Sequence, residues 1–261
     1  QSNNEKNYDI QLPQLDDNNI SIDGYLDEEV WKNAKTVSGF TNYLPVDGAK
    51  AEDDAEVYIW YSTDAIYFGV VAYANKNEVR STLADRDKLN SDDYFLFVLD
   101  TYNDQRTAYA FAVNPIGQQY DGTITDNVPD RKASKPYTID KNPDYVYDSK
   151  GRITEKGFEI EIKIPLKSLR FNNSSTQKWG FNVLRKVQHS RYWTSLIPLK
   201  LGEASFLAQN GKLSNIKNLK SNRLFDINPE LRGAMSRMQE GNDFSSQTQD
   251  PLGVNIRYGL S

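Results

Sequence analysis

The 261-residue chain contains no cysteine and only one histidine, His189. The first absence excludes a disulfide scaffold, a thiolate zinc site and a cysteine nucleophile. The second routes any Ser-His-Asp arrangement through His189, in "KVQHSRYW". A lone histidine beside a strand is far more often a surface or core residue than a catalyst. No G-x-S-x-G elbow, P-loop or H-E-x-x-H is present. No apolar run approaches the roughly 20 residues of a membrane-spanning helix. Excess positive charge is also missing. The formal net charge of -5 argues against a nucleic-acid groove or a polybasic membrane patch. With 36 acidic residues some carboxylate pair is always available, so a glycosidase-like pair carries no information. No enzymatic role is expected.

What is present is β structure rich in aromatics: 16 tyrosines, and 12% aromatic residues overall, a bias toward strands and toward surfaces that face sugars or partners. "AEVYIWYS" alternates, with Val57, Ile59 and Tyr61 on one face and Tyr58 and Trp60 on the other. "IYFGVVAYA" follows after a turn signal and completes a hairpin. "DDYFLFVLDT" is apolar on both faces, as a central strand is. In "GFEIEIKIPL", Phe158, Ile160, Ile162 and Ile164 point one way and Glu159, Glu161 and Lys163 the other. "KWGFNVLRKVQ" and "RYWTSLIPL" supply further strands. Helical signals are few. "LDEEVWKNA" offers Asp27 as N-cap of a short helix whose Trp31 plugs one end of the fold, and "PLKSLR" offers one more turn. Many short strands between turn signals predict an all-β sandwich of jelly-roll or immunoglobulin-like type. Past residue 222, "RLFDINPELRGAM" and "LGVNIRYGLS" read as two strands joined by a polar loop, "SRMQEGNDFSSQTQDP". Such a hairpin packs on the sandwich or, by its alternation, begins an outer-membrane barrel. Residues 1–14 read as a mobile lead-in, 15–222 as the sandwich and 223–261 as the C-terminal hairpin.

Two kinds of site follow from residue types. Oxygen ligands cluster in "LDDNNISIDG", "LDTYND" and "YDGTITDNVPD", which makes a structural calcium the ion expectation, although none keeps EF-hand spacing and turn chemistry accounts for the same residues. The aromatics Tyr58, Trp60, Tyr73, Tyr102, Tyr192 and Trp193 are candidates for stacking on the C–H faces of sugars. Trp179 and Trp31 read as core.

Taken in order, "IDGYLDEEVWKNA", "DDAEVYIWYSTDAIYFGVVAYA", "DDYFLFVLDTYNDQRTAYAFAVNPIGQQYDG" and "GFEIEIKIPLKSLRF…WGFNVLRKV" resemble the carbohydrate-binding module family 9-like domain, as found at the N-terminus of uncharacterised outer-membrane β-barrel proteins of Gram-negative bacteria. The resemblance implies a β-sandwich, often with bound calcium, and a sugar held between two aromatic rings. It further implies a place in the cell envelope, at the periplasmic or surface face of the outer membrane, beside the chain's own or a partner's barrel. The expected site has Trp60 and Trp193 as stacking platforms and Arg86, Asp87 and Asp121 as polar partners, Arg86 and Asp87 coming from the polar loop "LADRDKLNSDD". The competing expectation is a plug, gate or docking module with no sugar site.

Overall fold

The computed structural model describes residues 8–83, 89, 91–126, 137–202 and 205–219, and the backbone of four strands beyond residue 223. The chain divides into two compact units, Gln1–Lys220 and Ser221–Ser261.

The first unit is a sandwich of two sheets, as its alternating segments predict. One sheet has the order β10 (Asp148–Thr154), β11 (Gly157–Pro165), β5 (Ala65–Tyr73), β4 (Ala55–Tyr61), β2 (Lys35–Ser38). The other runs β1 (Asp9–Gln11), β14 (Gly211–Lys217), β12 (Thr176–Lys186), β6 (Tyr94–Asp100), β7 (Thr107–Val113), β8 (Gln119–Thr125), β9 (Ile139–Asp140). Off that path, β13 (Trp193–Ser195) bridges β12 and β3 (Thr41–Leu44). The inner core is built by period-two alternation: Val57 and Ile59, Phe68 and Val70, Phe158 to Ile164, and Phe95, Phe97 and Leu99 all meet there.

Both outer faces are covered too. Tyr94, Leu96 and Val98, the other side of β6, pack under Leu199, Leu201, Phe206 and Leu207. That double burial is why β6 is a continuous apolar run. On the five-stranded sheet, Trp60 and Tyr67 lie beneath a strap formed by residues 15–34, which contributes Trp31, Leu15, Ile20, Ile22 and Leu26. Gly69, in mid-strand, makes room for it: a Cβ there would stand 2.6 Å from Leu26 Cδ2 and 3.0 Å from a Trp31 ring carbon. Trp31 therefore closes the outside of a sheet, not an end of the sandwich. Its helix, α1 (Glu29–Lys32), is one turn with Glu28 at the N-cap position and no side-chain cap, in place of the predicted Asp27 cap.

The strap is fixed by Glu161. Its Oε2 accepts hydrogen bonds from the backbone N–H of Asp23 (2.9 Å) and Gly24 (2.7 Å), and its Oε1 from Trp31 Nε1 (3.0 Å). Burial pushes the Glu161 carboxyl up to about 7, against the pull of these three donors. Residues 8–14, expected as a mobile lead-in, are also anchored. Ile10 pairs parallel with Leu213 in β14, and Ile10 and Leu12 enter the inner core.

In the second unit β15 (Leu224–Leu231) pairs antiparallel with β18 (Leu252–Gly259), as expected. The segment read as a polar loop is itself paired, β16 (Met235–Glu240) with β17 (Asp243–Thr248). Both pairs keep one register: Leu231 lies opposite Leu252, and four positions further on Met235 lies opposite Thr248.

Candidate functional site

The inner face of β12 carries Phe181, Val183 and then, in the same alternation, Arg185. Arg185 is 1% exposed. A buried guanidinium needs acceptors for its donors. Its Nη1 donates to the carbonyls of Asp53 (2.9 Å) and Asp54 (3.0 Å), and its Nη2 to the carbonyl of Tyr73 (3.1 Å). The side chain thereby clasps one sheet to the other, with the guanidinium 5.5 Å from the Phe95 ring centre and 5.6 Å from that of Phe158. Desolvation lowers its pKa, opposed by the carboxylates of Asp53, Asp93 and Asp54.

Thr194 lies directly opposite Arg185 in the β12–β13 ladder. Among the described residues, Thr194 Oγ1 and Arg185 Nε are both buried without a hydrogen-bond partner. Thr194 lines a cleft of ≈ 100 Å³, together with Asn42, Glu52, Asp53, Val187, Ser190 and Tyr192. The turn at 187–192 is set by Asp93, whose carboxylate accepts the N–H of Gln188 at 2.7 Å, while Gln188 Nε2 donates to the Asp92 carbonyl at 3.0 Å. Burial raises the Asp93 carboxyl. His189 Nε2 stands 3.5 Å from Asp53 Oδ2 and 4.0 Å from Glu78 Oε2 at the rim. The cleft thus presents Thr194, two carboxylates, an amide, the Ser190 hydroxyl and Tyr192, while Arg185, the ladder partner of Thr194, does not line it. Its volume, below the ~300–1,000 Å³ that encloses a drug-sized ligand, suits one end of a hydroxylated molecule.

A second concavity of ≈ 280 Å³ lies on the opposite face, under Leu26, Trp31, Tyr58, Val71, Asp27, Lys32, Arg152 and Glu159. Its polar groups are largely met within the protein. Arg152 pairs with Glu159 (2.6 Å) and donates to the Gly24 carbonyl, Lys32 pairs with Glu29, and Tyr58 donates to Glu56. The cleft lined by Thr194 is the stronger candidate because the hydroxyl of that residue is not met.

The residues expected to form the site do not converge. Trp60 is 0% exposed, its ring stacked on Tyr67 at 3.9 Å and edge-on to Trp31. Trp193 is 2% exposed and edge-on to Tyr94 and Tyr137. The first belongs to the outer cluster of one sheet and the second to the outer cluster of the other, so the two rings cannot flank one sugar. Neither presents an open face, because each outer sheet surface is roofed by chain. Asp121 is buried between the sheets, opposite Phe111, and its carboxylate accepts the N–H of Tyr145 at 2.7 Å. Arg86 and Asp87 lie outside the described residues. Of the earlier aromatic candidates, Tyr192 is at the cleft. Arg185 and Thr194 were missed, although an arginine at an inward position of "WGFNVLRKV" is a legible anomaly.

Among the described residues no three His, Asp or Glu side chains group to hold a metal. Described carboxylates of those segments hold the chain instead: Asp16 accepts the N–H of Asn18 and Asp100 those of Asp104 and Gln105, both in turns, and Asp126 accepts that of the distant Leu207.

No family model matches the chain, and no curated protein matches it. Solved structures do. The chain is similar to a carbohydrate-binding module family 9 (CBM9) from Caldicellulosiruptor kristjanssonii in complex with cellotriose, with a TM-score of 0.56 and 15% identity over 85% of this chain and 100% of that one. The same holds for a CBM9 from that organism in complex with glucose (TM-score 0.55, 15% identity, 82% and 96% covered). A protein from Bacteroides uniformis ATCC 8492, provisionally described as carbohydrate-binding, aligns with TM-score 0.58 and 13% identity over 79% and 98%. The domain has the fold of these modules.

Proposed function

We propose that this chain is a non-catalytic glycan-binding module of the bacterial envelope, and that the cleft lined by Thr194 holds the sugar. The observation that carries this reading is a small cleft in which Thr194, whose hydroxyl has no hydrogen-bond partner among the described residues, lies with Glu52, Asp53, Asn42 and Tyr192. Sugar hydroxyls donate and accept at once, so they suit a lining of hydroxyls, carboxylates and an amide. The cellotriose and glucose bound by modules of the same fold support the ligand class. The test is titration calorimetry of the whole chain with glucose and cellotriose, beside Thr194→Val. Saturable heat that is lost in a folded Thr194→Val supports the site. Silence toward both sugars moves the assignment to a plug, gate or docking module.

The outer-membrane setting is part of the same proposal, with residues 223–261 as the first strands of a barrel belonging to this protein. What supports it is the register of β15 and β18. Phe225, Ile227, Pro229 and Leu231 lie opposite Tyr258, Ile256, Val254 and Leu252, so one face of the pair is apolar throughout. At ~3.3 Å per residue, the 8 residues of each strand extend about 26 Å, close to the ~25 Å apolar band of outer-membrane barrels. Partition into lipid vesicles by the whole chain and not by residues 1–220 is the expected outcome. Equal partition of both removes the support.

A further inference from the structure

We infer that the strap of residues 15–34 is a proton-operated latch: it lies closed on its sheet while the Glu161 carboxyl holds a proton, and loosens, with the sandwich intact, when that proton leaves. Three of the strap's attachments end on this one fully buried group: the N–H groups of Asp23 and Gly24 on Oε2 and the Trp31 indole on Oε1. The strap brings an acid of its own to the same place. Glu28 accepts the N–H of Ser21 on Oε1 at 3.2 Å, and its Oε2 is buried without a partner. Burial first, and then the charge of Glu28, oppose ionisation of Glu161, while the three N–H donors favour it. Among the described residues no base pairs with either acid. Lys150 stands opposite Glu161 in the β10–β11 ladder, exposed and in no ion pair. Arg152 is engaged by Glu159 and the Gly24 carbonyl, and Lys32 by Glu29. Lys163, two positions along β11, lies 5.7 Å from the Tyr67 ring centre. Of the strap's other acids, Asp23 accepts the N–H of Tyr25, Asp17 accepts the Tyr67 hydroxyl, and Asp27 lines the concavity beside Lys32.

Closing the strap takes Glu161 out of water and sets it beside Glu28, so the closed form binds the proton more tightly than the open one. Raising the pH therefore draws the equilibrium toward the open form. The strap can move by itself because what it covers is a separate cluster. Trp31, Trp60 and Tyr67, with Leu15, Ile20, Ile22 and Leu26, form their own apolar group outside the core between the sheets. Opening uncovers Trp60, whose indole N–H is buried without a partner, and the Tyr67 ring stacked on it. The latch thus governs access to an aromatic pair that the closed strap hides.

The experiment is hydrogen exchange of the whole chain, read by mass spectrometry at about pH 5 and about pH 8, with each rate divided by the intrinsic rate at that pH. Protection of residues 15–34 is expected to fall at least about tenfold between the two, while residues 94–100 of β6 keep theirs. Quenching of tryptophan fluorescence by acrylamide rises over the same range. In Glu161→Gln the latch no longer titrates, and strap protection is the same at both pH values. Glu28→Gln keeps the Glu161 carboxyl and its three donors but removes the opposing charge, so the fall shrinks; it decides the matter if Glu161→Gln fails to fold. Strap protection that does not change with pH in the wild type overturns the latch. So does a fall shared equally by β6, which is unfolding of the whole domain, or a fall that persists unchanged in both variants.

Discussion

The indole N–H of Trp31 donates to Glu161 Oε1 at 3.0 Å, joining a helix of one turn to a strand 130 residues further along the chain. With the N–H groups of Asp23 and Gly24 on the second oxygen, this carboxylate explains the acidic, tryptophan-bearing segment "IDGYLDEEVW". The turn delivers two backbone donors and one indole to a single buried acceptor.

That geometry sets a pH dependence. The Glu161 carboxyl is raised from 4.5 to about 7 in the folded state. The folded protein therefore holds this proton more tightly than the unfolded chain. The stabilisation is fully present below about 4.5 and is lost as pH rises through about 7, worth roughly 3 kcal/mol between the limits. Urea unfolding from pH 4.5 to 8 is expected to show this slope in the wild type and to lose it in Glu161→Gln. The same slope in both proteins would assign the titration to other groups, of which Asp93 and Asp100 are shifted in the same direction.

Trp60→Ala tests whether that ring is core or platform. Fully buried against Tyr67 and Trp31, it is expected to cost about 3–5 kcal/mol on removal, read as a large drop in the urea midpoint. A variant of unchanged stability that no longer binds sugar would return Trp60 to the role of stacking platform.

Gly69→Val is expected to dislodge the strap. The new side chain would occupy the space of Leu26 and the Trp31 ring, so faster proteolysis within residues 15–34 and a fluorescence change of Trp31 are the readouts. Overpacking of this kind costs typically about 1–3 kcal/mol. Unchanged cleavage and fluorescence would mean that the strap does not depend on the gap.

Chelation is expected to leave the thermal midpoint where it was, since described carboxylates of the three oxygen-rich segments are engaged within the protein, Asp17 with the Tyr67 hydroxyl and Asp16, Asp100 and Asp126 with backbone N–H groups. A midpoint that rises with added calcium, as linkage requires of any ion bound by the folded state alone, would restore the calcium expectation.

Most of the sandwich was legible because alternation survives wherever one face is core: β4 and β11 could be read residue by residue, and Phe158 to Ile164 do face inward. β1 was hidden by its length, 3 residues, and by a parallel partner far along the chain that no local pattern reveals. The pairing of β16 with β17 was hidden because "MSRMQE" and "DFSSQT" lack the alternation that marks a half-buried strand. The tryptophans misled for a different reason. Sequence gives the face of a strand on which Trp60 or Trp193 stands, and a sheet with one wet face would expose it. Here strap and loops cover both outer surfaces, and that is tertiary information. Arg185 was readable as an inward arginine; its pairing with Thr194 depended on the placement of the short strand β13.

Arg185 clasps the two sheets, and its ladder partner Thr194 lines the cleft. A ligand bound in that cleft by the folded state alone would show as a rise in the melting midpoint. At a hundredfold excess over Kd a ligand of the folded state adds about 2.7 kcal/mol, so sugars of unknown identity could be ranked by melting alone, without label, enzyme assay or prior guess at the glycan.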